Sequence, residues 1–160
     1  MVYSNAYNLY YATRALDGTW AQPALITNGV SAGVAMDAKG NAVAVFGVGP
    51  MYATRLPAGS NAWSNPVLIT GPNVTIGTSS ISANSAGTFL VGWSDGSYTN
   101  RKGNVAVSSM AAGSTSWKIS YLGFGFPDIS VAAAPGHAVA LWDQYWSNPS
   151  ALLFSQASIN

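Results

Sequence analysis

The sequence has no cysteine, no glutamate and few charges of either sign: only 7% of its 160 residues are charged, and the net charge is +1. An average soluble domain carries roughly 25% charged residues. Without cysteine the chain forms no disulfide and no thiolate metal site, which leaves the redox state of its compartment open. Because no basic stripe is present, a nucleic-acid partner has no electrostatic support. No apolar run approaches the ~18 residues of a membrane helix, so we expect no membrane span.

What the chain does contain is typical of a folded β protein. Hydrophobic residues make up 49% of it. Aromatic and β-branched residues are plentiful, and the polar remainder is mostly Ser, Thr, Asn and Gly, so the composition is not that of a disordered chain. The length suits one domain or a part of a larger one. Sparse charge and a surface rich in Ser, Thr and Asn predict a secreted or cell-surface protein.

One unit recurs along the chain. Asp37–Phe46 has the pattern of a strand end, a glycine turn and a strand that is apolar on both faces, and it returns as Asn84–Trp93 and as Ala133–Trp142. A strand buried on both faces needs a layer on each side, which radially stacked blades supply. The repeat period is about 41–54 residues, the range of propeller blades. No sustained 3.6-residue apolar period supports a helical repeat.

Flanking segments recur with the same period. Tyr10–Arg14 returns as Met51–Arg55, and Trp20–Thr27 returns as Trp63–Thr70. The sequence therefore predicts an all-β fold, a β-propeller of four-stranded antiparallel blades, with residues 1–160 as a single propeller segment.

We label the strands of one blade A to D. The first copy supplies only C and D, the next two copies are complete, and the last supplies A, B and C. The predicted strands are, in chain order, Leu9–Arg14, Ala24–Thr27, Val30–Met36, Ala42–Phe46, Met51–Arg55, Pro66–Thr70, Ser80–Ala83, Phe89–Trp93, Val105–Ser109, Trp117–Leu122, Ile129–Ala133, Ala138–Trp142 and Leu152–Ala157.

These strands amount to about three blades, whereas closed propellers have about four to eight. An open stack leaves apolar blade faces in contact with water and strand edges unpaired. We therefore expect either that a second copy of the chain completes the ring as a homodimer, or that the chain is part of a longer propeller.

The segment Ala15–Trp20, between strands C and D of the first copy, resembles the Asp-box of sialidase-like β-propellers, which has the form Ser/Thr-x-Asp-x-Gly-x-Thr-Trp. Residues 17–20 match its Asp, Gly, Thr and Trp without the spacer after Asp, and the copies ending at Trp63 and Trp117 keep only Gly and Trp. The chain is similar to repetitive bacterial propeller proteins with such boxes. The resemblance implies a six-bladed ring and an association with glycans, but it carries over no active site.

Candidate catalytic groups are scarce. A sialidase-type site uses an arginine cluster, a Tyr–Glu pair and an acid/base Asp, and this chain has no glutamate. The two-carboxylate scheme of most glycosidases would have to use aspartates. The five candidates are Asp17, Asp37, Asp95, Asp128 and Asp143. The first two fall in tight turns, where Asp is favoured for bonding its own backbone. We expect no enzymatic activity from this chain, no metal and no cofactor.

Two kinds of basic side chain are weak candidates for a site. His137, the single histidine, follows a turn glycine and is predicted to lie in an exposed A–B turn. Arg14 and Arg55 occupy matching ends of strand C, where they could form an anion-binding set, although Ser109 replaces the third member. Simple solvation is the alternative for both arginines.

The aromatic residues divide into two groups. Trp20, Trp63 and Trp117 recur with the repeat, as do Phe46, Trp93 and Trp142, and recurrence at one place per copy indicates packing in the core or between blades. Trp146 has no counterpart. It lies between strands B and C, on the face where an antiparallel meander places its B–C and D–A loops.

These loops are long and irregular, and variable loops on a rigid scaffold commonly carry binding sites. The predicted ligand-binding residues there are Asp95, Tyr98, Arg101, Lys102, Phe124, Phe126, Tyr145 and Trp146. Aromatic planes with a few polar groups suit sugar rings, and the same residue types mark protein interfaces or simply cap the blades. The sequence thus predicts a non-catalytic binding module for glycans on this loop face. A structural or protein-interaction scaffold and a fragment of a sialidase-like glycoside hydrolase stay open as alternatives.

Overall fold

The structure is a computed structural model that describes residues 1–5, 7–47, 49–95, 103–125, 128–144 and 151–159. These residues form strands and turns and no helix, so none of them lies in a helix able to cross a membrane. The strands, in chain order, are β1 (Val2–Asn5), β2 (Asn8–Tyr11), β3 (Ala24–Asn28), β4 (Ser31–Met36), β5 (Ala42–Phe46), β6 (Tyr52–Leu56), β7 (Val67–Leu68), β8 (Ser79–Ala83), β9 (Phe89–Ser94), β10 (Gly103–Met110), β11 (Lys118–Gly125), β12 (Ile129–Ala134), β13 (Gly136–Gln144) and β14 (Ala151–Ile159).

The strands pair in antiparallel fashion into four sheets that follow one another along the chain. Sheet I is β1–β3, sheet II is β4–β7, sheet III is β8–β11 and sheet IV is β12–β14, each an ordered meander. The prediction of an all-β fold with four-stranded antiparallel sheets is confirmed in sheets II and III. The order of strands A to D within each copy also agrees with the sequence prediction.

Sheet I contains a strand that the sequence prediction missed. β1 pairs with β2, with Tyr3 opposite Tyr10, so the first copy has a strand B in addition to C and D. No glycine turn precedes Val2–Asn5, and that turn was the signal that located strand B in the other copies.

The core lies between the sheets. β5 and β9 are buried along their whole length, which confirms the prediction that strand B is covered on both faces in sheets II and III. Val43 and Val45 of sheet II pack with Val91 and Trp93 of sheet III in one cluster. A second cluster joins Val105 of sheet III to Ile129, Ala140 and Trp142 of sheet IV.

Small residues allow the sheets to approach one another closely. A Cβ added at Gly92 in β9 would lie 2.6 Å from Val131 Cγ1 in β12, and one at Gly33 in β4 would lie 3.0 Å from Ile81 Cγ2 in β8. Serine hydroxyls then cross the gap between inner strands: Ser80 Oγ accepts a hydrogen bond from the Val131 N–H at 2.9 Å. Glycine at these two positions therefore permits the close approach of neighbouring sheets.

The turns between strands A and B are closed by a short polar side chain. Asp37 Oδ1 accepts hydrogen bonds from the N–H groups of Lys39 and Asn41, both at 2.9 Å. Asn84 Oδ1 does the same in sheet III for Gly87 at 3.0 Å and Thr88 at 2.9 Å. Burial by itself would raise the pKa of Asp37, but the hydrogen bonds from Asn41 and Lys39 outweigh it and lower the pKa below 3.8. The predicted turn role of Asp37 is thus confirmed.

The recurring aromatic residues are buried or half-buried, with one exception. Phe46, Trp93 and Trp142 lie in the core, and Trp63 and Trp117 are half-buried. Trp63 packs edge-on against Tyr11 of sheet I, with ring centroids 5.5 Å apart. Trp20 occupies the same repeat position in sheet I and is 53% exposed. The prediction that Trp20 packs in the core or between blades was wrong, because no sheet among the described residues covers its ring.

Strand pairing corrects the alignment of the repeat in strand C by one residue. Tyr10 pairs with Leu25 in sheet I, and Tyr52 pairs with Leu68 in sheet II, so Tyr10 matches Tyr52. The stacked pair of Tyr3 and Tyr10 in sheet I accordingly matches the stacked pair Phe46–Tyr52 in sheet II. Tyr3 is therefore the first-sheet counterpart of Phe46, Trp93 and Trp142.

The corrected register separates the two arginines that were expected at matching strand ends. Arg14 Nε donates to the Gly18 carbonyl of its own turn at 3.0 Å. Arg55 Nη1 donates to the Ser114 carbonyl of sheet III at 2.9 Å. Each guanidinium thus holds a different backbone carbonyl, and the anion-binding set stays a prediction.

Candidate functional site

A pocket of about 570 Å³ opens between sheets III and IV. Three strand ends surround it: the start of β8, the start of β12 and the end of β13. The lining residues are Thr78, Ser79, Ser80, Asp128, Ile129, Ser130, Leu141, Trp142 and Asp143.

Strand register explains why these residues meet. Ser79 at the start of β8 pairs with Trp93 near the end of β9, and Ile129 at the start of β12 pairs with Trp142 near the end of β13. The start of strand A and the end of strand B therefore share one end of each sheet. The pocket consequently lies on the face of the B–C and D–A loops, where variable loops were expected to carry a site.

Gly125 of β11 lies against two residues that line the pocket. A Cβ added at Gly125 would lie 2.6 Å from Trp142 Cδ1 and 2.8 Å from the Asp143 carbonyl oxygen. The end of β11 thus fits against the two pocket residues that end β13. A larger side chain at position 125 would therefore displace Trp142 or Asp143.

The lining combines carboxylates, hydroxyl groups and apolar surface. Asp128 and Asp143 supply two carboxylates, while Ile129 and Trp142 are buried beside them. Thr78 Oγ1 and Trp142 Nε1 are buried and have no hydrogen-bond partner among the residues that the structure describes. A buried polar atom without a partner costs about 1–3 kcal/mol, and both atoms lie below the accessible surface beside the pocket. The pocket is suited to a ligand with both donor and acceptor groups beside a carbon framework.

Of the eight predicted ligand-binding residues, Asp95 and Phe124 fall within the described residues. Tyr98, Arg101, Lys102, Phe126, Tyr145 and Trp146 lie outside them. Both carboxylate oxygens of Asp95 accept from Asn104, Oδ1 from its N–H and Oδ2 from its side-chain amide, the latter at 2.6 Å. Phe124 is 65% exposed and pairs with Asn104 across β10 and β11.

Asp95 and Phe124 therefore lie together at one end of sheet III, on either side of Asn104, and neither lines the pocket. The Asp95 carboxylate closes the base of the loop between β9 and β10. Their role in ligand binding stays a prediction.

The pocket itself was only partly visible in the sequence. Asp128 and Asp143 were named as candidate carboxylates, but nothing in the sequence indicated that they line one cavity. Thr78–Ser80, Ser130, Leu141 and Trp142 were missed as site residues. Their shared signal is position: each lies at the start of a strand A or the end of a strand B, and the repeat places those positions on one face.

The other titratable groups serve the scaffold. The carboxylate of Asp17 accepts from the side chain and the N–H of Thr19 at 2.7 and 2.9 Å, and these bonds lower its pKa. His137 is exposed beside the Pro135–Gly136 turn, as predicted. Within the described ranges, no three residues of the types His, Cys, Asp and Glu come together as they would around a metal ion.

Comparison with known proteins gives likeness in structure alone. No protein-family model matches the chain, and no curated protein sequence matches it. A variant of the NanB sialidase from Streptococcus pneumoniae matches with a TM-score of 0.58 and 13% identity, over 92% of this chain and 26% of that protein. An α-L-arabinofuranosidase variant from Fusarium graminearum, solved with an iminosugar inhibitor, matches with a TM-score of 0.55 and 10% identity, over 79% of this chain and 45% of that one.

The chain thus spans about a quarter of the sialidase and less than half of the arabinofuranosidase. Both are β-propeller glycoside hydrolases. At these identities the likeness shows the fold alone: four antiparallel sheets arranged as in a segment of a glycoside-hydrolase propeller.

Proposed function

We propose that the chain is a non-catalytic glycan-binding propeller segment, and that the pocket between sheets III and IV holds the sugar. The observation that carries this proposal is that two carboxylates, Asp128 and Asp143, line one pocket together with serine and threonine residues. A sugar hydroxyl both donates and accepts hydrogen bonds, so one ligand class serves the carboxylates and the hydroxyl groups of the lining together. The apolar surface of Ile129 and Trp142 suits the C–H face of a sugar ring.

The charges of the lining favour a neutral sugar. Asp128 and Asp143 are acidic, and no Lys or Arg is found among the described residues that line the pocket. A carboxylated sugar would bring like charges together in a half-enclosed site, which is unfavourable. We therefore expect neutral oligosaccharides to bind in preference to sialyllactose. Arabino-oligosaccharides are the first probe, because one structural neighbour is named as an arabinofuranosidase.

The test is calorimetric titration of the chain with arabino-oligosaccharides, other neutral oligosaccharides and sialyllactose. Asp143→Asn should weaken the binding of a neutral sugar by about tenfold or more, since a hydrogen bond to a charged group contributes about 1.5–3 kcal/mol. Asp17→Asn is the matched control, because it removes the same charge from an exposed turn away from the pocket. No saturable binding of any probe, or an equal loss in both variants, contradicts the proposal.

A second function is favoured by one observation: Asp128 and Asp143 line the same pocket. Most glycosidases use two carboxylates on either side of the scissile bond. A segment of a glycoside hydrolase would therefore cleave a fluorogenic α-L-arabinofuranoside, and either Asp128→Asn or Asp143→Asn would abolish the cleavage. Sugar binding without cleavage favours the non-catalytic module, and cleavage that survives both changes excludes the pocket as a catalytic site.

A further inference from the structure

The interfaces between neighbouring sheets show how exposed a side chain is when another sheet covers it. In β5, Val43 and Val45 point towards sheet III and are 0% exposed. Val139 and Leu141 hold the same repeat positions in β13, where Ala140 and Trp142 pack against sheet III. Because side chains alternate along a strand, Val139 and Leu141 are expected on the opposite face, and Leu141 also borders the pocket at the end of β13. They are each 39% exposed.

Sheet I carries the other half of this interface. In the cluster between sheets II and III, the valines of β5 meet the aromatic face of the next sheet, which includes Trp93. Tyr3 holds the position of Trp93 in sheet I, yet Tyr3 is only half-buried. Trp20 at the adjoining turn is exposed, whereas its counterpart Trp63 packs on the preceding sheet. Sheet I thus presents an aromatic face that none of the described sheets covers.

The two outer faces are therefore complementary halves of an interface that the chain builds internally. One end presents the aliphatic half and the other presents the aromatic half, and the side chains that define them, Val139, Leu141, Tyr3 and Trp20, are all uncharged. Contiguous exposed apolar surface of this kind marks an interaction site. The contact it predicts is head to tail, between different faces, rather than symmetric contact of one face with itself.

We propose that the outer face of sheet IV docks on the outer face of sheet I of a second copy of this chain, and that two such contacts join two copies into a ring. A second copy fits because it presents both halves of the interface in the same spacing. Twice the four sheets of one chain falls within the four to eight blades of known propellers.

The first measurement is solution mass by light scattering on a sizing column, with twice the 16.5 kDa of one chain as the expected result. Val139→Asp should convert the dimer to a monomer, with at least a tenfold increase in the dissociation constant. Val67→Asp is the matched control, since Val67 is 43% exposed and lies on β7 at the outer edge of sheet II. Val139 does not line the pocket but Leu141 of the same face does, so sugar titration of Val139→Asp, which should leave sugar binding unchanged, separates the two proposals.

Mixing variants tests the head-to-tail arrangement. Trp20→Asp alone and Val139→Asp alone should each be monomeric, because each homodimer would lose both of its contacts. An equimolar mixture retains one intact contact, between the unmodified sheet IV face of one variant and the unmodified sheet I face of the other, and should recover dimer. Monomeric wild-type protein at every concentration overturns the proposal. A dimer that survives Val139→Asp, or one that Val67→Asp disrupts equally, also overturns it.

Discussion

Val43 and Val139 are the same residue at the same repeat position, and they differ in whether a sheet covers them. Val→Ala removes two carbon atoms at either site and lowers the β-propensity by the same amount. The difference between the two losses in stability therefore measures the effect of the covering sheet. Val43 is 0% exposed. At about 0.8 kcal/mol for each buried methylene, its truncation loses about 1.6 kcal/mol of transfer free energy, and the cavity left behind raises the total to about 2–3 kcal/mol. Val139 is 39% exposed, so its truncation should cost about 1 kcal/mol or less in the monomer, with no cavity term.

Urea unfolding followed by tryptophan fluorescence measures both losses in the free energy of unfolding. In a chain of this length, 1 kcal/mol corresponds to about 2–4 °C in the melting temperature, so Val43→Ala should lower it by about 4–12 °C. At a protein concentration that favours the dimer, the cost of Val139→Ala should rise towards that of Val43→Ala, because a second copy then covers the side chain. Equal losses at a concentration where the chain is monomeric would refute the assignment of Val139 to an uncovered face.

Other variants probe the packing and the turns. Gly92→Ala places a Cβ 2.6 Å from Val131 Cγ1 and should lower the free energy of unfolding by about 1–3 kcal/mol through overpacking. Gly49→Ala is the control: no atom lies within 4 Å of its added Cβ, so the urea midpoint should change little. Trp63→Ala should lower the free energy of unfolding by about 2 kcal/mol because its ring packs on Tyr11, whereas Trp20→Ala should lower it by less than about 1 kcal/mol in the monomer. Equal losses in a urea titration would contradict this difference in packing. The pKa of Asp37 is lower in the folded than in the unfolded chain, so its contribution to stability is present above pH 3.8 and is lost as the pH falls through the lowered value. Asp37→Asn, which copies Asn84, should flatten the loss of stability between about pH 5 and about pH 2, and an unchanged acid profile would count against this role of Asp37.

Much of the architecture was predictable from local signals. The glycine turn before strand B, which Asp37 or Asn84 closes, depends only on adjacent residues. The two-sided apolar pattern of β5 and β9 does so as well. β1 was missed because Val2–Asn5 lacks that turn. The alignment of strand C was one residue out because Tyr10 and Tyr11 are identical in type, and only pairing with Leu25 distinguishes them.

The site was predictable as a face but not as a set of residues. The alternation of turns in a meander places Asp95, Phe124 and the start of β8 at one end of the sheets, and this follows from strand order alone. That Asp128 and Asp143 line one cavity beside Thr78 depends on how sheet IV packs against sheet III, where Gly92 and Gly125 set the approach. Packing between sheets joins residues about fifty positions apart, and no local pattern encodes it.

The sequence by itself determined the repeat, its strand order and its turns, because these depend on side-chain alternation and on glycine and Asx chemistry within a few residues. Only the tertiary structure decided which members of each repeated set are buried. Val43 is covered and Val139 is exposed, and Trp63 is packed while Trp20 is not, although the repeat treats each pair alike. Burial depends on whether another sheet lies against that face, which is a property of the assembled molecule and not of the segment.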